Sequence, residues 1–208
     1  MRVYTAEVLV LAKTKLGETD LILTLLSSEN KQIRAVAKGA RKPGAKLCGV
    51  SEPFNVFEAK FNVGKKLDIC TEARSIEVYA ALRCDYGRMM AGSVALEIAR
   101  QATNDGDDID RLYAMTRAYL DTLCAASDEL ADTLTAAYLL KILAMIGYSP
   151  EYELCSRSQS LTRLFRSTFV EVSGANPVSL ADIRQVLNFT EKHLPANLKT
   201  FSVYRKSL

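Results

Sequence analysis

The residues best suited to chemistry lie in segment 31–46, which holds six lysine or arginine side chains and no acidic one. The first half of the segment alternates like a strand, and the second half is a basic loop that contains glycine and proline. Lysine and arginine neutralise phosphate groups and release the counterions that surround a nucleic acid. The segment therefore predicts a phosphate-binding strand and loop; the alternative is a solvated, charged hairpin tip.

Other reactive groups are few and are not arranged for catalysis. The five cysteines are widely spaced, and His193 is the only histidine. Because zinc ligands usually occur in close pairs, we expect free thiols and no metal site. The Gly39-Ala40-Arg41-Lys42 sequence fits neither a Walker motif nor GxGxxG. We expect no enzymatic activity and no cofactor.

The first third of the chain must position the basic segment, and its pattern is that of β-structure. In the strand that begins the basic segment, Ile33, Ala35 and Ala37 are expected on one face and Arg34 and Lys38 on the other. Short strands separated by turns favour a small barrel or sandwich, and five of them match the OB-fold plan, whose face and loops often bind oligonucleotides. The five predicted strands are residues 5–13, 19–27, 32–38, 53–62 and 66–73.

Charge and aromatic content in this part bear on the ligand. Residues 1–75 hold 13 basic against 8 acidic side chains, a net charge of +5, whereas residues 76–208 hold 14 against 16, a net charge of −2. The excess favours an anionic partner for the N-terminal part. Phe54, Phe57 and Phe61 in the fourth strand could stack on bases, but core packing is the commoner use of phenylalanine in a small barrel.

The rest of the chain has helical periodicity. Four-residue spacing of apolar side chains predicts helices at residues 89–103, 108–125, 128–148 and 179–193. The acidic segment 104–110 lacks the order of a calcium loop and is predicted to start a helix. Alternation over residues 163–172 suggests an irregular hairpin. The expected fold class is α+β: an N-terminal five-stranded OB-fold barrel over residues 1–75, then a helical domain over 76–208 with a small irregular insert at about 150–178.

Composition sets the broad class of the protein. The chain is 49% hydrophobic and 25% charged, as in an ordinary folded domain. No uncharged apolar stretch reaches the roughly 18 residues of a membrane span. The N-terminus lacks the layout of a signal peptide, so a cytoplasmic location is expected.

Several segments of the chain together resemble sequences of the bacterial DNA repair protein RecO family. They are Glu18-Thr19-Asp20 at the start of the second strand, VAKGARK at residues 36–42 and Pro53-Phe54 at the start of the fourth strand. They also include MIGYSP at residues 145–150 and HLPANLKTFSVY at residues 193–204. The resemblance covers nearly the whole chain, and AKGAR in this context is its most specific piece.

The resemblance implies a recombination mediator. Such proteins bind single- and double-stranded DNA, anneal complementary strands, and work with RecR to let RecA replace single-strand-binding protein (SSB). It also implies a nucleoid-associated protein whose helical domain binds the acidic, hydrophobic SSB C-terminal tail. Lys141 is the candidate cation for that tail; the alternative is that it marks the solvent face of its helix.

The sequence departs from the family pattern in the insert. Zinc-containing members place two cysteine pairs after the helix that is expected to end here at Gly147. Only Cys155 stands in that region, and Ser156-Arg157-Ser158 follows it without a partner thiol. We expect a metal-free insert, and any role of this region in partner binding is left open.

The resulting hypothesis is a DNA-binding recombination mediator without catalytic residues. Two alternatives remain: a tail-binding adaptor whose barrel is structural, and an RNA-binding OB module. In the favoured interpretation, Gly39 lets the backbone turn close to the ligand. The side chains expected to contact phosphates are Arg34, Lys38, Arg41, Lys42 and Lys46.

Overall fold

A computed structural model of the chain describes residues 2–103, 109–195 and 197–208. The chain divides into two compact units: residues 1–79 with 100–113, and residues 80–99 with 114–208. The predicted helix start at residues 104–110 lies mostly outside the described residues, which resume at residue 109.

The first unit is built on five strands, in the order that the sequence predicts. Strand β1 pairs with both β2 and β4, and β3 runs parallel to β5, so the strand order β1-β2-β3-β5-β4 closes into a barrel. This architecture agrees with the expected OB-fold. The strands are β1 (Val3–Leu16), β2 (Asp20–Ser27), β3 (Gln32–Ala37), β4 (Asn55–Asn62) and β5 (Asp68–Val78).

Strand β1 is long because its two ends pair with different strands. Its residues 3–9 pair with β4 and its residues 8–16 pair with β2, and the register shifts between Val10 and Ala12. A shift of this kind bends a strand and increases its twist. The bend lets one strand take part in both sides of a closed sheet.

Apolar side chains from the strands fill the barrel. Phe57 and Phe61 are completely buried in this core, which confirms core packing for both, and Phe54, directly before β4, is also buried at 4% exposure. Burial of such a side chain stabilises the fold by about 1.5–3 kcal/mol. The other fully buried members of this core include Val8, Val10, Leu23, Leu25, Ala35 and Ala37.

A short helix, α1 (Lys46–Val50), lies between β3 and β4 and was not predicted from the sequence. It has five residues and no side-chain cap, so its sequence signal is weak. Leu47 and Val50 pack against the barrel core. Helix α1 therefore anchors the C-terminal end of the basic loop on the barrel.

The second unit consists of helices that pack around one buried helix, α5 (Ala131–Met145). Eleven of its fifteen residues are buried, and it packs against α7, α8 and α9. Buried hydroxyl groups are paired: Tyr119 with Thr135 at 2.9 Å and Tyr138 with Thr116 at 3.0 Å. The helices after α1 are α2 (Ala80–Cys84), α3 (Tyr86–Ala102), α4 (Leu112–Ala125), α5 (Ala131–Met145), α6 (Pro150–Glu153), α7 (Gln159–Arg166), α8 (Phe169–Ser173), α9 (Leu180–His193) and α10 (Lys199–Ser207).

The prediction of a hairpin at residues 163–172 is wrong, because this segment forms the end of α7 and most of α8. Ser158 caps α7 by accepting a hydrogen bond from the Leu161 N–H. Thr168 and Glu171 form a capping box at α8. The Thr-x-x-Glu spacing was visible in the sequence and predicts a helix start, whereas the apparent alternation came from two short helices in succession.

Candidate nucleic-acid interface

Residues 38–46, here called the basic turn, leave the end of β3 through a glycine in a left-handed conformation. Gly39 has a φ of +66°, a backbone angle that residues with a side chain rarely adopt. A Cβ added at Gly39 would have open space around it apart from the Lys42 side chain, whose Cδ would lie 3.7 Å away. The backbone angle, rather than crowding, therefore requires glycine here. The chain then reverses its direction in a tight turn, in which the Lys42 N–H donates a hydrogen bond to the Gly39 carbonyl at 2.9 Å.

The basic turn is fastened to the loop between β1 and β2. The Arg41 N–H donates to the Thr19 carbonyl at 2.9 Å, and Arg41 Nη1 donates to the Gly17 carbonyl at 3.0 Å. A guanidinium group carries five N–H donors, so this second bond occupies only one of them. The turn is therefore held in one shape while the side chain keeps donors for a ligand.

Asp20 ties the two loops together, and sequence reasoning did not select it as a site residue. Its Oδ1 accepts the Gly39 N–H at 2.7 Å and the Thr19 hydroxyl at 2.9 Å. These two bonds, and then the charges of Lys38 and Lys42, lower the pKa of the Asp20 carboxyl. The available signal was an acidic residue at the start of β2, next to the β1–β2 loop and one strand before the basic turn.

We expect the Asp20→Asn variant to loosen the basic turn at neutral pH. Because folding lowers the Asp20 pKa, the ionised carboxylate contributes stability above its ordinary pKa of 3.8 and loses that contribution as pH falls through the folded value. Hydrogen exchange of the Gly39 amide should be faster in the variant at pH 7, and the difference should vanish in acid. Glu18→Gln, an exposed neighbour, is the control; equal protection of Gly39 in all three proteins would contradict this role.

The structure brings together some of the predicted phosphate-binding side chains and separates others. Lys38, Arg41 and Lys42 are exposed on the basic turn, and Lys46 is exposed at the first residue of α1. Within the described residues, none of these four forms an ion pair. Arg34 does not belong to this group, because it lies in the middle of β3, before the turn begins.

Arg34 lines a separate cleft of about 660 Å³ in the first unit, here called the cationic groove. It contains Lys31 and Arg34 of the β3 region, Lys65 and Lys66 of the β4–β5 turn, and Arg2 and Tyr4 at the start of β1. Sequence reasoning missed this grouping because the three segments are far apart in the chain. The adjacent Lys65-Lys66 pair after Gly64 was the only local signal.

Lys141 lies in a third place, an apolar pocket of about 480 Å³ in the second unit. Its Nζ donates to the Phe165 carbonyl at 2.5 Å and lies 5.8 Å from the centre of the Phe169 ring. Burial lowers the pKa of the Lys141 ammonium, which is half-buried and does not mark a solvated face. This pocket, here called the Lys141 pocket, is also lined by Met115, Ala118, Asp121, Arg166, Phe169 and Val170.

Metal and membrane features are not found in the described part of the chain. Over residues 2–103, 109–195 and 197–208, no group of three histidine, cysteine, aspartate or glutamate side chains is placed to hold a metal ion. Cys155 is buried, and burial raises the pKa of its thiol. No helix among these residues has the length and apolar character that crossing a membrane needs.

Comparison with protein-family models gives two matches in the same order as the two structural units. Residues 1–79 match the model described as the N-terminal part of recombination protein O. Residues 83–184 match the model described as its C-terminal part. Together the matches cover most of the chain.

Proposed function

The chain belongs to the recombination protein O family of recombination mediators in DNA repair, and we propose that it binds single- and double-stranded DNA through the basic turn. We further propose that it anneals complementary strands and, with RecR, helps RecA to replace SSB. These activities would place the protein at the nucleoid.

The exposed cations and the fixed backbone of the basic turn support DNA binding most directly. Three exposed cations, Lys38, Arg41 and Lys42, stand on a backbone that hydrogen bonds to Thr19 and Asp20 hold in place. A preformed surface loses little conformational entropy on binding. Contacts to phosphate carry affinity without base sequence, which suits a protein that must act on any strand.

Annealing requires no catalytic residue in this scheme. Two strands repel each other through their phosphates, and a shared cationic surface screens that repulsion. Base pairing between the strands then supplies the driving force. The protein is needed only to hold the strands close together until they pair.

Titration of the full chain with single-stranded DNA, duplex DNA and RNA of one sequence tests this function. We expect the logarithm of the affinity to fall linearly with the logarithm of salt between about 50 and 200 mM, by about 0.9 per phosphate contact on duplex and about 0.7 on single strands. Absent or salt-independent DNA binding would favour the adaptor alternative. Clear preference for RNA would favour the RNA-binding alternative.

The Lys141 pocket supports a second function, capture of the acidic, hydrophobic C-terminal tail of SSB. Phe169 and Val170 give the pocket an apolar lining, and Val170 is 71% exposed. Lys141 supplies positive charge beside these side chains, and the lining also includes Asp121 and Arg166, which pairs with Glu151 at 3.1 Å. An apolar site with cations at its edge is complementary to a segment that carries both acidic and hydrophobic residues.

A further inference from the structure

The cationic groove is a binding site with a composition different from that of the basic turn. Its five cations, Arg2, Lys31, Arg34, Lys65 and Lys66, are exposed, and the groove contains two carboxylates, Glu29 and Asp68. Asp68 is already engaged: its Oδ1 accepts the Gly64 N–H at 3.0 Å, and its Oδ2 accepts the Tyr4 hydroxyl. The balance of charge favours an anionic ligand.

The shape of the β4–β5 turn fixes the position of two of these cations. A Cβ added at Gly64 would lie 1.9 Å from the Leu67 carbonyl oxygen, so a side chain cannot be accommodated without a change in the turn. The bond from Gly64 to Asp68 closes the same turn. Lys65 and Lys66 therefore project from a loop of defined shape beside β5.

Tyr4 adds an aromatic surface to the groove. Its ring stacks on Phe61, with centroids 5.2 Å apart and planes 23° apart, and the ring is half-buried. Burial, and then the hydrogen bond to Asp68, raise the pKa of the Tyr4 hydroxyl, so the side chain stays neutral. The hydroxyl bond and Phe61 hold the ring, and the part that they do not cover lines the groove.

We infer that the cationic groove binds a short stretch of single-stranded nucleic acid, with a base against the Tyr4 ring and phosphates against Arg2, Lys65 and Lys66. Stacking on an aromatic ring requires an unpaired base, and cations that flank the ring follow the backbone. A cleft of this size takes a ligand of roughly drug-like dimensions, which corresponds to one or two nucleotides.

The groove gives the protein a site that distinguishes strands by their pairing state. In a duplex the bases are paired and stacked inside the helix, so they cannot reach Tyr4 without disruption. The basic turn has no aromatic side chain among residues 38–46 and offers contacts to phosphates of either form. This inference rests on the proposed DNA binding and assigns the preference for single strands to the groove.

One double variant tests the groove, and a second with the same charge change serves as its control. In Lys65→Ala/Lys66→Ala we expect single-strand affinity to fall about 25-fold at 0.1 M salt, because two contacts at about 0.7 each are lost. Duplex affinity should change less than about twofold, within experimental scatter. The matched control, Lys199→Ala/Lys206→Ala, removes the same charge from exposed positions on α10.

A fluorescent base reports stacking on Tyr4 directly. An oligonucleotide that contains 2-aminopurine should change its fluorescence on binding to the wild type and to Tyr4→Phe, but much less with Tyr4→Leu. Tyr4→Phe keeps the ring and removes the bond to Asp68, so it separates stacking from structural support. Thermal unfolding of each variant shows whether the barrel remains folded.

The possible outcomes distinguish failure of the groove from failure of DNA binding. Equal loss of single-strand and duplex affinity in Lys65→Ala/Lys66→Ala, or no loss of either, would overturn the groove assignment while DNA binding by the chain stands. An unchanged fluorescence response in folded Tyr4→Leu would remove the stacking role. No binding of any nucleic acid by the wild type would overturn both the proposed function and the groove. Binding of a free mononucleotide as tight as that of the oligonucleotide would identify a nucleotide site instead.

Discussion

Replacing Arg41 and Lys42 with alanine is expected to lower duplex DNA affinity about 60-fold at 0.1 M salt. On duplex DNA each phosphate contact contributes about 0.9 to the slope of log affinity against log salt, so loss of two contacts removes about 1.8 log units at one-tenth molar. The slope itself should become shallower by the same amount. Both effects should be equal for unrelated DNA sequences, because phosphates carry no sequence information.

The fold should tolerate this double substitution. Both side chains are exposed, and the backbone bonds from Arg41 to Thr19 and from Lys42 to Gly39 do not need them. Only the bond from the Arg41 guanidinium to the Gly17 carbonyl is lost.

Fluorescence anisotropy with labelled duplexes across a salt series measures the effect. Lys199→Ala/Lys206→Ala again serves as the control for net charge. If Arg41→Ala/Lys42→Ala keeps the wild-type slope, the duplex-binding surface lies outside the basic turn. If the α10 control shows the same loss, the effect comes from total charge and not from a defined site.

The strands were predictable because burial in a small barrel leaves a two-residue period that local sequence records. In β3, Ala35 and Ala37 are buried while Arg34 is exposed, and Lys38, directly after the strand, is exposed as well, as the alternation requires. The strand pairs that close the barrel were harder to predict from the sequence. The joint pairing of β1 with β2 and β4 depends on a register shift at residues 10–12, which has no strong local signature.

The grouping of residues in the candidate site was predictable only where they are close in sequence. Lys38, Gly39, Arg41 and Lys42 were identified because one turn carries all of them. Arg34 was grouped with them because it is close in sequence, but it lies in β3, before the turn, and lines a different cleft. The groove around Arg34 exists only because barrel closure brings the start of β5 beside β3 and the start of β1 beside the end of β4.

The insert shows a different limit of sequence reasoning. Phe169 and Val172 are buried at a three-residue spacing, as are Leu161 and Leu164. In a segment of eight or fewer residues, the apolar positions can fit both a helical and an alternating pattern, so the period alone does not decide between helix and strand. Capping residues decide it here, since Ser158 and Thr168 satisfy the first N–H groups of α7 and α8.

A peptide with the acidic, hydrophobic sequence of the SSB tail is expected to bind the Lys141 pocket with micromolar or weaker affinity. A short mobile segment loses conformational entropy when it becomes ordered, and this loss limits its affinity. In Val170→Asp we expect binding to weaken at least about tenfold, or 1.4 kcal/mol. The new carboxylate would repel the acidic tail and would have to lose water against an apolar ligand.

Lys141→Gln tests the charge separately from the shape of the pocket. Glutamine keeps an N–H donor for the Phe165 carbonyl, which accepts from Lys141 in the wild type. Loss of affinity in this variant would therefore report the missing positive charge, and the loss should shrink as salt rises. Val170→Asp should not disturb folding, because the Val170 side chain is largely exposed.

Titration of a labelled tail peptide against the wild type, Lys141→Gln, Val170→Asp and Val203→Asp compares the contributions. Val203 is 52% exposed on α10 and is not among the residues that line the pocket, so Val203→Asp controls for an added charge. Equal affinities for the wild type and Lys141→Gln would remove Lys141 from the site. Equal weakening by both aspartate variants would show a general charge effect. Failure of the peptide to bind the wild type would remove tail capture from the functions proposed for this chain, while leaving DNA binding by the barrel unaffected.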